Sequence, residues 1–188
     1  MIIGICGKMN SGKGVVATYL EGEYKLLNAA LADPIKVIAR VLFDISQEAL
    51  WGPSENRRGN VRSILQGLGS WARTVDADVW TNLLVKSIKE NRIAIQGVVI
   101  PDIRFPNEAR ILRDKLDAKI IKIVRPDNYT GIPDEQKLHE SETSVDQIPE
   151  EFIYRTIVNE GGPEDLLHKI KDIMEELIHE SSNADVGN

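Results

Sequence analysis

The feature that most constrains this chain is a glycine-rich segment that follows an apolar run and precedes a helix-like run. The apolar run is Ile2–Cys6, and the segment after it, residues 7–14, reads GKMNSGKG. From Gly7 to Lys13 the sequence fits G-x-x-x-x-G-K, which between a strand and a helix is typical of phosphate-binding loops. Glycines permit positive φ angles and let backbone N–H groups approach phosphate oxygens, and a helix N-terminus adds further donors.

The loop predicts a site for the phosphates of a nucleoside triphosphate, with Lys13 as a mobile positive charge for the outer phosphates. Residue 14 is Gly, whereas most such loops carry Ser or Thr there to hold Mg²⁺, so this position offers no hydroxyl. The predicted triphosphate-binding residues are Gly7, Lys8, Asn10, Ser11, Gly12, Lys13, Gly14, Val15 and, from a later strand end, Arg125.

Apolar runs alternate with helical patterns along the chain, which predicts an α/β fold with a parallel sheet. The predicted strands are Ile2–Cys6, Lys25–Leu31, Gly97–Ile100, Lys119–Val124 and Tyr154–Val158. The clearest predicted helix begins at Pro163 and carries one apolar stripe at helical spacing, which we expect to pack against the sheet.

We expect a single domain over residues 1–180, followed by a polar, flexible tail at 181–188. Two segments fall outside the regular alternation. Residues 33–92 are long, helical and rich in arginine, and residues 126–149 are polar. Segments of this kind often bind substrates or close over them. We therefore predict that residues 33–92 form an insertion that binds the molecule accepting a group from the triphosphate, and that residues 126–149 form a lid.

Charge and composition exclude several classes of protein. The net charge of −6 argues against a dedicated nucleic-acid binder, although a local arginine cluster can still attract small anions. The single cysteine, Cys6, excludes an intrachain disulfide and a multi-cysteine metal site. No apolar stretch approaches the roughly 20 residues of a membrane span. We therefore expect a cytoplasmic protein without a membrane partner.

The segment VVIPDIRFPNEA places Asp102 after the apolar run Val98–Ile100, where it would lie next to the phosphate loop. A carboxylate there can hold a water of a Mg²⁺ shell, and Arg104 could reach a transferring phosphoryl group. A turn-forming Asp and a surface ion pair are the alternatives. Further cations in the insertion suit a second anion but also suit solvated surface; they are Lys36, Arg40, Arg57, Arg58, Arg62 and Arg73.

Taken together, these pieces resemble the deoxynucleoside monophosphate kinases of tailed bacteriophages and their prophage relatives. The matching segments are GKMNSGKG, LADPIK, LWGPSENRR, LQGLGSWAR with DADVWTNLL, VVIPDIRFPNEA, IVRP and HESETSVD. They span roughly residues 1–162, and the combination is more specific than the phosphate loop alone.

The resemblance implies a P-loop NTPase fold with a five-stranded parallel sheet, a helical nucleoside-monophosphate-binding insertion and a short lid. It implies transfer of the γ-phosphoryl group of ATP to a deoxynucleoside monophosphate, with Mg²⁺, in a host cell cytoplasm if the protein is phage-encoded. The implied acceptor residues are Asp33, Lys36, Arg58, Arg73, Asp78 and Trp80. The implied catalytic residues are Lys13, Asp102, Arg104 and Arg58, with Asp102 serving the metal through water and Arg125 and His139 near the lid.

Two other functions stay open at this stage. One is a P-loop kinase for another small acceptor, such as dephospho-coenzyme A, in which Asp33 could serve as the base that a hydroxyl acceptor needs. The other is a nucleotide-binding regulatory module without transferase activity. The sequence predicts neither which bases are accepted nor the oligomeric state, for which a homodimer is one candidate.

Overall fold

The computed structural model describes residues 1–52, 59–90, 97–126 and 140–186. Its core is a five-stranded sheet with the order β2-β3-β1-β4-β5, in which each neighbouring pair of strands is parallel. The predicted α/β fold with a five-stranded parallel sheet is therefore confirmed. The strands are β1 (Ile2–Cys6), β2 (Leu27–Asn28), β3 (Val98–Ile103), β4 (Lys119–Val124) and β5 (Arg155–Val158).

Helices cover both faces of this sheet and also form a separate layer. They are α1 (Lys13–Tyr24), α2 (Asp33–Phe43), α3 (Gln47–Trp51), α4 (Gly59–Val75), α5 (Val79–Glu90), α6 (Pro106–Leu116), α7 (Glu140–Thr143) and α8 (Pro163–Val186). Two short 3₁₀ turns, Ser144–Gln147 and Glu150–Phe152, lie between α7 and β5.

The strands are apolar along most of their length because helices pack on both faces of the sheet. On one face α1 and α8 contribute Leu20 and Ile170 to a core that includes Ile3 and Ile5 of β1. On the other face α5 and α6 pack against Ile100 and its neighbours. This two-sided burial holds β1 rigidly at the centre of the sheet, with the phosphate loop at its end.

Helices α2, α3 and α4 lie between β2 and β3 in the chain and have a small apolar cluster of their own. Ala39, Leu50 and Val61, one from each of the three helices, are buried together there. The helical character predicted for the stretch after residue 33 is therefore present in its described part. Its role as an acceptor-binding insertion remains a prediction.

Three strands differ in their bounds from the predicted ones, β5 only in that it begins at Arg155 and not at Tyr154. β2 has only two residues, because Lys25 takes a left-handed conformation (φ 55°) that ends α1 and the chain turns towards α2 soon after Asn28. β3 is longer than predicted and reaches Ile103, since its pairing with β1 is irregular between Ile100 and Ile103. That irregularity accommodates Pro101, which has no N–H to donate to the ladder.

Helix α8 begins at Pro163 as predicted but extends beyond residue 180, where a flexible tail was expected. It ends at Val186, six residues later. Ser181 and Ser182 fit the helix because their hydroxyl groups donate hydrogen bonds to the carbonyl groups of Leu177 and Ile178, both at 2.9 Å. Among the helices described, none combines the length and apolarity that crossing a bilayer requires.

Two isoleucines of α8 provide a matched test of this packing. Ile170 is fully buried against the sheet, whereas Ile178 is 43% exposed. We expect Ile170→Ala to lower the free energy of unfolding by about 2–5 kcal/mol, and Ile178→Ala by less than about 1 kcal/mol. Urea denaturation followed by circular dichroism measures both values, and equal losses would contradict this packing.

Candidate functional site

The carboxyl ends of the parallel strands bring polar side chains together at one edge of the sheet. The phosphate loop follows β1, Asp102 lies near the end of β3, Arg125 follows β4 and Asn159 follows β5. Because β1 has a neighbour on each side, the crevice above it lies where open α/β sheets commonly bind ligands. The predicted proximity of Asp102 to the loop thus follows from the strand order.

The phosphate loop has the backbone that its glycines permit. Gly7 and Gly12 have φ angles of 150° and 110°, and Asn10 between them has a φ of 58°. A Cβ atom at Gly12 would lie 2.6 Å from the Leu166 side chain, and one at Gly7 would lie 2.4 Å from the carbonyl oxygen of Ile123. Both glycines are therefore required by dihedral angle and by space.

Later parts of the chain hold the loop in this shape. The side-chain amide of Asn159 donates to the carbonyl oxygen of Ser11 at 2.9 Å, and Arg125 donates to that of Asn10 at 3.3 Å. Lys8 forms an ion pair of 2.8 Å with Asp146. Asn159 is buried and was not predicted as a site residue; the available signal was a polar residue directly after an apolar strand.

Lys13 lies within the loop, and its Nζ donates to the carbonyl oxygen of Lys8 at 2.5 Å. Burial, with the positive charge of Arg104 as a further cause, lowers the pKa of Lys13 to about 8. Phosphate oxygens beside this amine would favour its charged form. Cys6 is fully buried at the end of β1, and burial raises the pKa of its thiol to about 12, so it remains a protonated core residue.

A cavity of about 460 Å³ opens beside the loop, between α2, α4, the end of β3 and α7. Among the described residues, four cationic side chains line it: Lys36, Arg62, Arg73 and Arg104. Met9 of the phosphate loop lies in the same wall, so the loop and the cavity adjoin. The arrangement suits an anionic molecule of small size held next to a polyphosphate.

Asp102 connects β3 to the start of α2. Its two carboxylate oxygens accept hydrogen bonds from the backbone N–H groups of Leu31 at 2.8 Å and Ala32 at 2.9 Å. Burial raises its pKa, although both hydrogen bonds act in the opposite direction. The geometry thus gives Asp102 an anchoring role that the sequence did not predict, and its role towards a metal through water remains a prediction.

The described residues include no cluster of three metal-ligating side chains. Asp102 already accepts two backbone hydrogen bonds, and Gly14 has no side-chain oxygen. Mg²⁺ commonly keeps several waters and binds through substrate phosphates. These residues therefore fit a magnesium ion that arrives with its nucleotide better than a resident metal centre.

Glu142 of α7 is a site residue that was not predicted. Its carboxylate is buried, accepts a hydrogen bond from the backbone N–H of Met9 at 2.6 Å and forms an ion pair with Arg104. The sequence predicts the segment HESE as part of a polar lid, since nothing local indicates burial of one acid. Glu142 therefore joins α7 to the phosphate loop and to the predicted catalytic arginine.

Glu108 is a second buried acid that was not predicted. It accepts hydrogen bonds from the backbone N–H groups of Arg104 at 2.8 Å and Phe105 at 3.0 Å, and lies 3.6 Å from Arg73 Nη2. Burial raises its pKa to about 7. The available signal was its place at the third position of a helix that starts at Pro106, where an acid often caps the helix.

Of the predicted acceptor residues, Lys36 and Arg73 line the cavity, whereas Asp33, Asp78 and Trp80 do not. Asp33 accepts hydrogen bonds from Lys36 Nζ at 2.9 Å and Trp51 Nε1 at 3.1 Å, so it orients a residue that does. Trp80 is buried and donates to the carbonyl oxygen of Gly69, while Asp78 accepts from Asn107. These contacts are structural. The predicted residues Arg58 and His139 lie outside the described residues.

The pKa of Lys13 predicts a proton balance on nucleotide binding. Burial lowers that pKa to about 8, and phosphate oxygens would raise it. At pH 8 we expect ATP binding to take up about half a proton. Calorimetric titration in buffers of different ionisation enthalpy measures this uptake. It should disappear in Lys13→Met, and the same uptake in that variant would contradict the assignment.

One curated protein is similar to this chain in sequence. A protein of Acanthamoeba polyphaga mimivirus, described as "Putative deoxynucleotide monophosphate kinase", is 29% identical over 145 residues. The match covers 67% of this chain and 75% of the viral protein. No family model matches the sequence.

Several solved kinases are similar to this chain in structure. A sugar kinase from Janibacter sp. superposes with a TM-score of 0.55 at 12% identity, covering 93% of this chain and 94% of its own. The shikimate kinase of Acinetobacter baumannii gives 0.53 at 13% identity, covering 93% of both chains. The shikimate kinase of Aquifex aeolicus superposes with a TM-score of 0.51 at 13% identity, and the match covers 95% of this chain and 98% of the shikimate kinase chain. At these identities the likeness shows the fold alone, and that fold is the α/β P-loop fold of these kinases.

Proposed function

We propose that this protein transfers the γ-phosphoryl group of ATP to a deoxynucleoside monophosphate. The observation that supports it most is the cation-lined cavity that adjoins the phosphate loop. A loop for one polyphosphate and a separate cavity beside it that presents cationic side chains are what phosphoryl transfer between two anions requires. The similarity to the mimivirus protein, which is described as a putative deoxynucleotide monophosphate kinase, agrees with this acceptor.

The charges at the cavity favour an acceptor that carries a phosphate. Arg62 and Arg73 lie on α4 and face the same cavity as Arg104. A guanidinium group can donate two parallel hydrogen bonds to phosphate oxygens, which fixes orientation as well as adding attraction. In the described part of the chain, three carboxylates, Asp102, Glu140 and Glu142, line the cavity beside the four cations, so the cavity offers guanidinium and ammonium groups to a phosphate within a protein of net charge −6.

The carboxylates near the cavity argue against an acceptor whose hydroxyl must lose a proton. Asp102 and Glu142 already accept hydrogen bonds from backbone N–H groups, and Glu142 also pairs with Arg104. Asp33, the candidate base for a hydroxyl acceptor, accepts from Lys36, Trp51 and Ala30. Glu140 is exposed at the rim. A phosphate acceptor needs no base, because it is already ionised at neutral pH.

The mechanism then depends on alignment and charge neutralisation. The loop amides and Lys13 would hold the donor phosphates, and Arg73 would hold the acceptor phosphate. Arg104 would meet the charge that develops between them. Mg²⁺ bound to ATP would neutralise part of the charge of the donor phosphates. Asp102 would contact that ion through a water molecule. The segment around Glu142 would help to exclude water from the transfer.

A panel of acceptors tests the proposal. ADP release coupled to a spectrophotometric signal is measured with ATP and each common deoxynucleoside and ribonucleoside monophosphate. We expect ADP formation at least about a hundredfold above the ATP-only rate with one or more deoxynucleoside monophosphates. Dephospho-coenzyme A serves as the hydroxyl acceptor. Turnover with it alone would indicate a different kinase, and ATP binding without turnover of any acceptor would indicate a regulatory module.

Removal of the loop lysine tests the donor site. We expect Lys13→Ala to lower kcat by at least about a hundredfold, the scale of losing one preorganised electrostatic contact. Lys171→Ala is the control, because Lys171 is exposed on α8 and pairs only with Glu175 at 3.8 Å among the contacts described. Circular dichroism confirms that both variants fold. Near-normal turnover in the Lys13 variant would refute its assignment.

A further inference from the structure

We infer that Glu108 is the positioning residue for Arg73, holding its guanidinium group in the orientation that binds the acceptor phosphate. The inference rests on the proposed function and adds a residue to it. Glu108 lies on α6, Arg73 lies on α4, and neither the motif nor the resemblance connects them. Glu108 does not line the cavity itself, whereas Arg73 does.

Three neighbours define the place of the Arg73 side chain. Its guanidinium carbon lies 4.5 Å from the centre of the Phe105 ring, and its Nη2 lies 3.6 Å from Glu108 Oε1. The third neighbour is Gly69, one turn earlier on α4. A Cβ atom there would lie 3.5 Å from Arg73 Nη1, so the guanidinium group lies close to the helix backbone at this glycine. The Arg73 side chain is 28% exposed, and it lines the cavity beside the phosphate loop.

Glu108 itself is held firmly and is divided between two tasks. Oε2 accepts both backbone hydrogen bonds, from Arg104 and Phe105, whereas Oε1 is the atom that faces Arg73. Only 3% of the side chain is exposed. A carboxylate fixed at one oxygen by two N–H groups presents the other oxygen at a defined point, which is what orienting a long and flexible arginine requires.

The backbone hydrogen bonds alone do not account for a charged residue here. A glutamine at this position has a carbonyl oxygen that can accept from the same two N–H groups. Burying an ionised carboxylate is costly unless a positive group compensates it. Arg73 is the cationic side chain that contacts Glu108 in the part of the chain described. The charge of Glu108 therefore orients Arg73, and its hydrogen bonds hold the backbone turn at Arg104 and Phe105 that precedes α6.

Glu108→Gln separates these two tasks, because it preserves the turn and removes the charge. Burial raises the pKa of Glu108 to about 7. The assays are therefore run at pH 8, above that pKa, where the carboxylate is mostly ionised. We expect the KM for the acceptor monophosphate to rise about fivefold to tenfold, with the KM for ATP unchanged. Asp114→Asn is the matched control, because Asp114 also pairs with an arginine on α6, at 2.8 Å, but at an exposed place.

A double-mutant cycle shows whether the effect passes through Arg73. We expect Arg73→Gln alone to raise the acceptor KM, and Glu108→Gln to add less than about twofold in that background, because residues in contact are not additive. Full additivity of the two changes would overturn the inference. So would an unchanged acceptor KM in Glu108→Gln, or an equal rise in the KM for ATP.

A spectroscopic measurement keeps this inference separate from the proposed function. The ¹⁵N–¹H signal of the Arg73 Nε group, assigned through its loss in Arg73→Lys, reports the side chain without any substrate. We expect that signal to shift in Glu108→Gln and to stay in place in Asp114→Asn. An unmoved signal overturns the inference whatever the enzyme phosphorylates. A shifted signal together with no turnover of any monophosphate would refute the proposed function and leave the positioning role intact.

Discussion

The hydrogen bonds between the Asp102 carboxylate and the backbone N–H groups of Leu31 and Ala32 determine where the second half of the site lies. They fasten the beginning of α2 to the end of β3, which is itself held against β1 and the phosphate loop. Helix α4 packs on α2, so the arginines of α4 take their places relative to the loop through this contact. The half-buried carboxylate of Asp102 thus links the phosphate loop to the wall of the neighbouring cavity.

Three of the cationic side chains that line the cavity have an acidic partner behind or beside them in the part of the chain described. Lys36 is paired with Asp33, Arg73 with Glu108 and Arg104 with Glu142. Such pairs limit the conformations of long side chains before a ligand arrives, and preorganised charges stabilise a transition state without further rearrangement. The same pairs reduce the repulsion that several positive charges would otherwise have in one small space. The site therefore presents individually oriented cations to the cavity.

The sheet and the phosphate loop could be predicted because their signals are local. Apolar runs such as Ile2–Cys6 and the G-x-x-x-x-G-K pattern each lie within a few residues. The short β2 could not be predicted, since its end depends on Asp102, some seventy residues away in the chain. The pairings of Glu108 and Glu142 were missed for the same reason. Trp80 was predicted at the acceptor site, but its indole donates to Gly69 within the core, a choice that only tertiary packing decides.

The burial of Cys6 has a practical consequence for labelling this protein. The thiol is the single one in the chain, lies beneath the phosphate loop and has its pKa raised to about 12. A thiolate is the form that maleimides and iodoacetamides attack, so the native cysteine should resist them while the fold is intact. A fluorophore pair could therefore be attached through two cysteines introduced on the surface, without first replacing the natural one.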